Sequence, residues 1–418
     1  MGSIMLYAWM APMFVNIVTP NVVSRGTSLQ TISDRVVEQA SATQQTIASK
    51  FTTVASNLEV YALSGTCRPS NNVVLIKVHK CASSTIANIF TRYGLKHHRN
   101  FALPRHDVGH IGWPLSLLPK HIEPIGKNQQ INFIAHHVTY NETTLTNLMP
   151  SETKYFTILR EPFSQLKSVM YYFDIETKNY NFKTKDRVGE FLSNPQFYER
   201  DIPFVSNGFV LGNRSMTLNF MSTDLGFEND WRTDENKINE FITNIDKKID
   251  LVLIREHFVE SVVLMRRLLC WSLEDVVYLI LNKQKYTKNT ADEVSEEETL
   301  RTKFRAWSRV DFLLYEYFNR TLWDKIAQQG PDFWSEIGVC TMVNQLVTLY
   351  CAGNKTEQTF IVPETMWNKK FEFKAQECRK LKKGPHLFNR EIGMMMGLPR
   401  FSNLNPYAKE LLPPWPCC

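Results

Sequence analysis

No GxxxxGK(S/T) pattern occurs in the chain, so a Walker-type phosphate loop is missing and a small-molecule P-loop kinase loses its main support. Nor is there a CxxC pair among the eight cysteines, at 67, 81, 270, 340, 351, 378, 417 and 418, which removes metal-finger spacing. Neither sign of charge is in large excess. The net charge of +6 suits a small anionic ligand but is too low and too evenly spread for nucleic acid. The densest basic run, Arg379 to Lys383, reads as a solvated face. Residues 1–24 carry no charged side chain, so the basic n-region of a standard signal peptide is absent.

What is there begins with an apolar stretch, Ile4 to Val23, close to the ~20 residues of a membrane span although it holds two prolines and two asparagines. Residues 1–24 therefore read as a signal-anchor or a cleaved signal. Residues 25–66 are rich in Ser, Thr, Gln and Ala, with apolar residues at helical intervals whose phase slips; this is a stem, and its weak association would allow a homodimer. Sequons at Asn141, Asn213, Asn319 and Asn354, with scattered cysteines, favour a lumenal or extracellular chain in which some thiols pair. The remaining residues, 67–418, are long enough for one large domain with a full core.

That domain is organised around VVLIKVHKCASSTIANIF, Val73 to Phe90. Val73 to Val78 is a nearly unbroken apolar run, as in a strand covered on both faces of a parallel sheet. Ile86, Ile89, Phe90 and Tyr93 then follow helical spacing, and Gly94 stands where a stop is expected. Between strand and helix lies His79-Lys80-Cys81-Ala82-Ser83-Ser84-Thr85. Backbone N–H groups at a helix start, hydroxyls and one lysine make this turn a phosphate or sulfate cradle. Cys81, inside it, is expected to be free.

Three more strands are expected. Ile131 to Ala135 ends in His136-His137, which fall either on the ligand side of the sheet or into core hydrogen bonds. Lys154 to Leu159 leads through Arg160-Glu161-Pro162 into a helix with Phe163, Leu166, Met170 and Phe173 on one face. Arg160 thus ends a strand, and Ser168 follows two helical turns later; a guanidinium fork and a hydroxyl so placed can share one phosphate. Ile249 to Ile254 ends at Arg255-Glu256-His257, and Phe258 to Trp271 is helical, with Leu273 to Leu281 continuing so. Arg301 to Trp323 reads as one helix with core aromatics. Phe101 to Pro124 has no period and reads as an ordered loop near the site. No chemistry is assigned beyond Gly330.

A lysine entering a hydroxyl-rich β–α turn resembles the 5′-phosphosulfate loop of sulfotransferases, which use 3′-phosphoadenosine 5′-phosphosulfate (PAPS). The Arg160…Ser168 spacing resembles their 3′-phosphate site. Together with FALPRHD, NFIAHHVTYNE, YFTILREPFSQLKSVMYYF, IDLVLIREHFVESVVLMRRLLCW and LYEYFNRTLW, the chain resembles the galactose 3-O-sulfotransferase family from about Leu75 to Trp323. The N-terminal segment and the tail beyond about Pro331 do not visibly match.

The resemblance implies a P-loop-NTPase-like α/β fold, with a central parallel sheet flanked by helices. It also implies a Golgi, single-pass type II membrane protein with a lumenal catalytic domain. By position, Lys80, Cys81, Ala82, Ser83, Ser84 and Thr85 would hold the 5′-phosphosulfate, and Arg160 and Ser168 the 3′-phosphate. His79 takes the place of a histidine implicated in catalysis, with His136 or His137 next and Glu256 more distant. Cys81 and Ala82 depart from the small polar residue and glycine of many sulfotransferases. The implied reaction moves a sulfuryl group to a glycan acceptor on glycolipid or glycoprotein, at the 3-OH of terminal β-galactose, and needs no metal. A glycosaminoglycan-type sulfotransferase and an inactive nucleotide- or glycan-binding relative are the alternatives. Lys77, beside the loop, reads as a solvated strand lysine that adds positive potential.

Overall fold

The computed structural model describes residues 67–105, 109–173, 182–199, 202–206, 209–280, 291–353 and 359–402. The chain divides into Met1–Ala62 and Leu63–Cys418, and all the described residues fall in the second unit. The apolar segment 1–24, the stem 25–66, the sequon at Asn354 and the Cys417–Cys418 pair lie outside the described residues. Among the described residues, no helix is long and apolar enough to cross a membrane.

The core is a four-stranded parallel sheet in the spatial order Phe133–Ile134, Val73–Ile76, Lys154–Leu159, Leu251–Ile254. In chain order its first parts are β1 (Val73–Ile76), α1 (Ser83–Lys96), β2 (Phe133–Ile134), α2 (Glu142–Leu148), β3 (Lys154–Leu159) and α3 (Pro162–Tyr172). Then come α4 (Arg187–Ser193), the antiparallel pair β4 (Ile202–Ser206) and β5 (Phe209–Arg214), α5 (Phe220–Asp224), α6 (Glu235–Lys248), β6 (Leu251–Ile254) and α7 (Phe258–Leu269). Long helices α8 (Ala291–Trp307), α9 (Arg309–Ala327) and α10 (Asp332–Ala352) follow. The described part closes with a second antiparallel pair, β7 (Phe360–Val362) and β8 (Phe371–Phe373), and then α11 (Ala375–Lys382) and α12 (Asn389–Met395).

Register explains the pattern. Val73 pairs with both Phe133 and Lys154, and Phe156 pairs with Leu251. β1 is therefore central, which is why its four residues are fully buried and no polar alternation is visible in its sequence. All sheet partners being parallel, each strand's carboxyl end opens on the same side, where ligands bind in open α/β sheets.

Several expectations are corrected by tertiary contacts. α1 runs past Gly94 to Lys96; a Cβ at Gly94 would come 2.3 Å from the Phe101 ring, so this glycine serves a close approach. β2 is only two residues, shorter than Ile131 to Ala135. Leu273 to Leu281 is not helical beyond a 3-10 turn at Glu274–Val276, because the Tyr278 and Ile280 amides donate to Asn344 Oδ1 and Thr348 Oγ1 of α10. The single helix expected over Arg301 to Trp323 is α8 and α9, broken at Ser308, whose Oγ accepts from the Asn219 amide. The C-terminal part, silent in sequence, is ordered by α10, the β7–β8 pair and the Cys351–Cys378 disulfide. A second disulfide joins Cys67 to Cys270, while Cys81 and Cys340 are free and buried.

Candidate active site

The turn after β1 is tight. Lys80 and Ala82 both have left-handed backbones, φ 60° and 64°. A Cβ in that region costs about 1–2 kcal/mol, and glycine would relieve it at a smaller entropic cost. Ala82→Gly is therefore expected to raise stability by about 0.5–1 kcal/mol in denaturant unfolding, and a loss would contradict this account of the turn.

The side chains of the turn divide into two sets. Ser83 Oγ donates to the Val78 carbonyl at 2.6 Å, and Cys81 Sγ to the His79 carbonyl at 3.3 Å. Both are buried, so the expected Ser83 hydroxyl donor is turned inward and only its backbone faces the cradle. Burial also raises the Cys81 thiol well above its ordinary range, which keeps it protonated. Ser84 and Thr85 are partly exposed in the first turn of α1, which has no acidic residue and no side-chain cap. The Lys80 ammonium sits 3.3 Å from the centroid of the Tyr172 ring, at the end of α3.

The second corner meets the first. Arg160 Nη1 donates to the Lys80 carbonyl at 3.1 Å, and Gln165 Nε2 on α3 donates to the His79 carbonyl at 3.3 Å. Glu161 begins α3 by accepting from the Phe163 and Ser164 amides and pairs with Arg301. Ser168 is partly buried on the same helix. Glu256 accepts from the Glu161 amide and the Tyr315 hydroxyl, a linking role that places it beside Arg160's strand end.

Histidines gather next to this junction. His79 donates from its backbone N (2.9 Å) and from Nδ1 (2.8 Å) to Asp224 Oδ2 at the end of α5. Trp113 Nε1 donates to the other oxygen at 2.7 Å, and Arg214 lies 3.7 Å from it. A carboxylate only accepts, so His79 carries its proton on Nδ1 and its lone pair on Nε2. The His79 ring stacks on His137 (3.8 Å between centroids), with Trp113 at 4.4 Å and His110 at 6.1 Å. The irregular Phe101 to Pro124 segment thus does reach the site, through His110 and Trp113.

His137 is a poorer candidate than the sequence allowed. Its Nδ1 donates to the Lys77 carbonyl (2.8 Å) and its Nε2 accepts from the Lys77 ammonium (2.7 Å), so neither nitrogen is left to take a proton. Lys77 is itself buried, because the sheet is covered on both faces; the expected solvated lysine is corrected. His136 Nε2 bonds Asn389 Oδ1 on α12 at 2.8 Å, while its Nδ1 is buried with no hydrogen bond. Sequence reasoning missed Asp224. The signal was a lone acid in an apolar stretch, Phe220 to Phe227.

Burial dominates the electrostatics. It pushes His79 below the ordinary histidine range, against the pull of Asp224 and with help from His110 and Lys77. Burial alone would raise Asp224, yet His79 and Arg214 hold it below the usual carboxylate value. His137 is well below its ordinary range and His136 is pushed down to about 4, both chiefly by burial. A histidine kept neutral in the fold adds stability that is complete above its unfolded value near 6.5 and is lost as pH falls towards the folded value. His136 alone loses roughly 3 kcal/mol over that window. Asp311, raised by burial to about 6, works in the opposite sense below that pH. Three histidines against one carboxyl leave a net loss. Urea unfolding should show lower stability at pH 5 than at pH 7, and an equal or higher value at pH 5 would contradict this burial pattern.

Fold and site together define an α/β protein in which two β–α corners form one cationic junction beside a carboxylate-held histidine. The chain belongs to the galactose-3-O-sulfotransferase family, whose profile matches residues 17–357. That match starts earlier and ends later than the resembling segments between Leu75 and Trp323. Human galactose-3-O-sulfotransferase 2 is 34% identical over 264 residues, 63% of each chain. Human galactosylceramide sulfotransferase is 30% identical over 309 residues, 72% of this chain and 70% of the relative. Galactose-3-O-sulfotransferase 3 of Bos taurus is 31% identical over 267 residues, 63% of this chain and 60% of the relative. The chain thus spans somewhat under two thirds of the first of these relatives.

Proposed function

We propose that the protein is a PAPS-dependent carbohydrate sulfotransferase that modifies the 3-OH of a terminal β-galactose on glycolipid or glycoprotein. The observation that carries this is the Arg160 guanidinium on the Lys80 carbonyl, which brings two cationic corners to one place. A nucleotide with phosphate at both its 3′ and 5′ positions needs two such grips. The residues fit it: α1 begins without an acid or a side-chain cap, Ser84 and Thr85 are partly exposed there, and Lys80 stands at the turn. Family membership and the names of the relatives support sulfuryl transfer to galactose. The sheet would then be the sulfotransferase version of a P-loop-like fold.

PAPS, when bound, supplies the sulfuryl group. Backbone N–H groups of Ser83 and Ser84 and the hydroxyls of Ser84 and Thr85 hold the 5′-phosphate, the Thr85 N–H being bonded to the Ala82 carbonyl, and Arg160 with Ser168 holds the 3′-phosphate. Lys80 leaves Tyr172 to donate to the oxygen on which leaving-group charge develops. His79 Nε2 takes the proton from the sugar hydroxyl as that oxygen bonds to sulfur, which suits an imidazole held neutral near pH 7. The N-terminal segment would anchor the chain in the Golgi membrane with this domain in the lumen. Of the described sequons, Asn213 is exposed, whereas the Asn319 Oδ1 is buried on α9.

Labelled PAPS and an array of glycans decide the matter. The expected product is a galactoside 3-sulfate. Transfer only to uronic acid or hexosamine would move the protein to a glycosaminoglycan-type activity, and no transfer to any glycan would contradict the proposal.

A further inference from the structure

His79 is held on two sides by residues that no part of the proposed chemistry uses. On its edge, Asp224 binds both the backbone N–H and Nδ1 through one oxygen, and the other oxygen is fixed by Trp113. On its face, the ring lies 3.8 Å from His137, whose nitrogens are both bound to Lys77. Around it stand Phe220 of α5, and His110 and Trp113 of the irregular segment; Arg214 of β5 donates to the Thr223 and Pro114 carbonyls and lies 3.7 Å from the Asp224 carboxylate.

We infer that Asp224 and Lys77 are positioning residues for sulfuryl transfer, Asp224 fixing the His79 tautomer from the edge and Lys77 limiting its charge through His137. The inference rests on His79 being the base. Without the carboxylate, nothing requires the proton to stay on Nδ1; an amide at position 224 would donate to Nδ1 and drive the proton to Nε2. The lone pair would then face away from the acceptor. Lys77 acts in the other direction. A buried cation one ring away opposes a second proton on His79, so the imidazolium formed in transfer gives up its proton quickly and the resting ring stays neutral. Asp224 stabilises that same imidazolium. The two residues therefore pull the basicity of one nitrogen in opposite senses, which a purely structural pair would not do.

The test combines histidine ¹⁵N NMR on the full chain with pH profiles of kcat/KM. The His79 signal is assigned by its loss in His79→Gln. In the wild type, His79 is expected as the Nδ1–H tautomer, switching to Nε2–H in Asp224→Asn. That variant should lose about 10²–10⁴-fold in kcat while still binding adenosine 3′,5′-bisphosphate, as for a base in the wrong tautomer. The acid limb of the profile should move down in Asp224→Asn and up by about 0.5–1 pH unit in Lys77→Met. An unchanged tautomer in Asp224→Asn, or acid limbs that move the same way in both variants, would overturn the inference. Should Asp224→Asn fail to fold, Lys77→Met decides alone, and an unmoved His79 titration overturns it. A tautomer switch in Asp224→Asn, with a wild type that transfers no sulfate, would sink the proposed function and leave the assignment of Asp224 standing.

Discussion

Lys80→Ala should remove sulfuryl transfer almost completely, with kcat/KM down at least about 10³-fold. The expectation follows from where charge appears. In a loose, in-line transfer the protein does little covalent work, and the rate depends on donors aimed at the leaving oxygen. Lys80 is the lysine of the cradle, His79 to Thr85, and its main chain is tied to Arg160. Its ammonium rests on Tyr172, a contact worth about 0.5–2 kcal/mol, so release to a phosphate oxygen is not costly. Initial rates with labelled PAPS, with thermal stability as a control, check the outcome. A Lys80→Ala enzyme within about tenfold of wild type would show that the leaving oxygen is stabilised elsewhere.

His79→Ala should split the parameters differently. A general base contributes about 10²–10⁴-fold, so kcat should fall by that much while adenosine 3′,5′-bisphosphate binds nearly as before. The reason is geometric: the ring reaches the junction, but its bonds run to Asp224 and not to the turn's phosphate-facing amides. Asp224, once the ring is gone, loses a buried partner, so some stability should be lost too. Single-turnover rates beside calorimetric binding separate the two effects. Near-normal turnover in this variant would remove His79 as the base and move the assignment to His136, whose Nδ1 is buried with no hydrogen bond.

Much of this site could be read from local sequence. The β1–α1 turn and the Arg160–Pro162 corner announce themselves, because a parallel strand is a short apolar run and its following helix restarts the period at once. β3 was legible to the residue, Lys154–Leu159. What stayed hidden depends on partners far along the chain. Asp224 meets His79 across 145 residues, and nothing in its neighbourhood names that partner. Lys77 looks like any strand lysine until the sheet is seen to be covered on both faces. His136 and His137 looked equivalent, yet one reaches Asn389 across 253 residues and the other turns to Lys77. The break at Ser308 is likewise set by Asn219, which local periodicity cannot register.

The central claim is that the two corners grip opposite ends of one nucleotide. Calorimetric titration of adenosine 3′,5′-bisphosphate, adenosine 5′-phosphate and adenosine 3′-phosphate into wild type, Lys80→Ala and Arg160→Ala tests it directly. The predicted result is that the bisphosphate binds wild type far more tightly than either monophosphate, that Lys80→Ala selectively weakens ligands carrying the 5′-phosphate, and that Arg160→Ala selectively weakens those carrying the 3′-phosphate. Equal losses for all three ligands in both variants, or tighter binding of ATP with Mg²⁺ than of the bisphosphate, would contradict it.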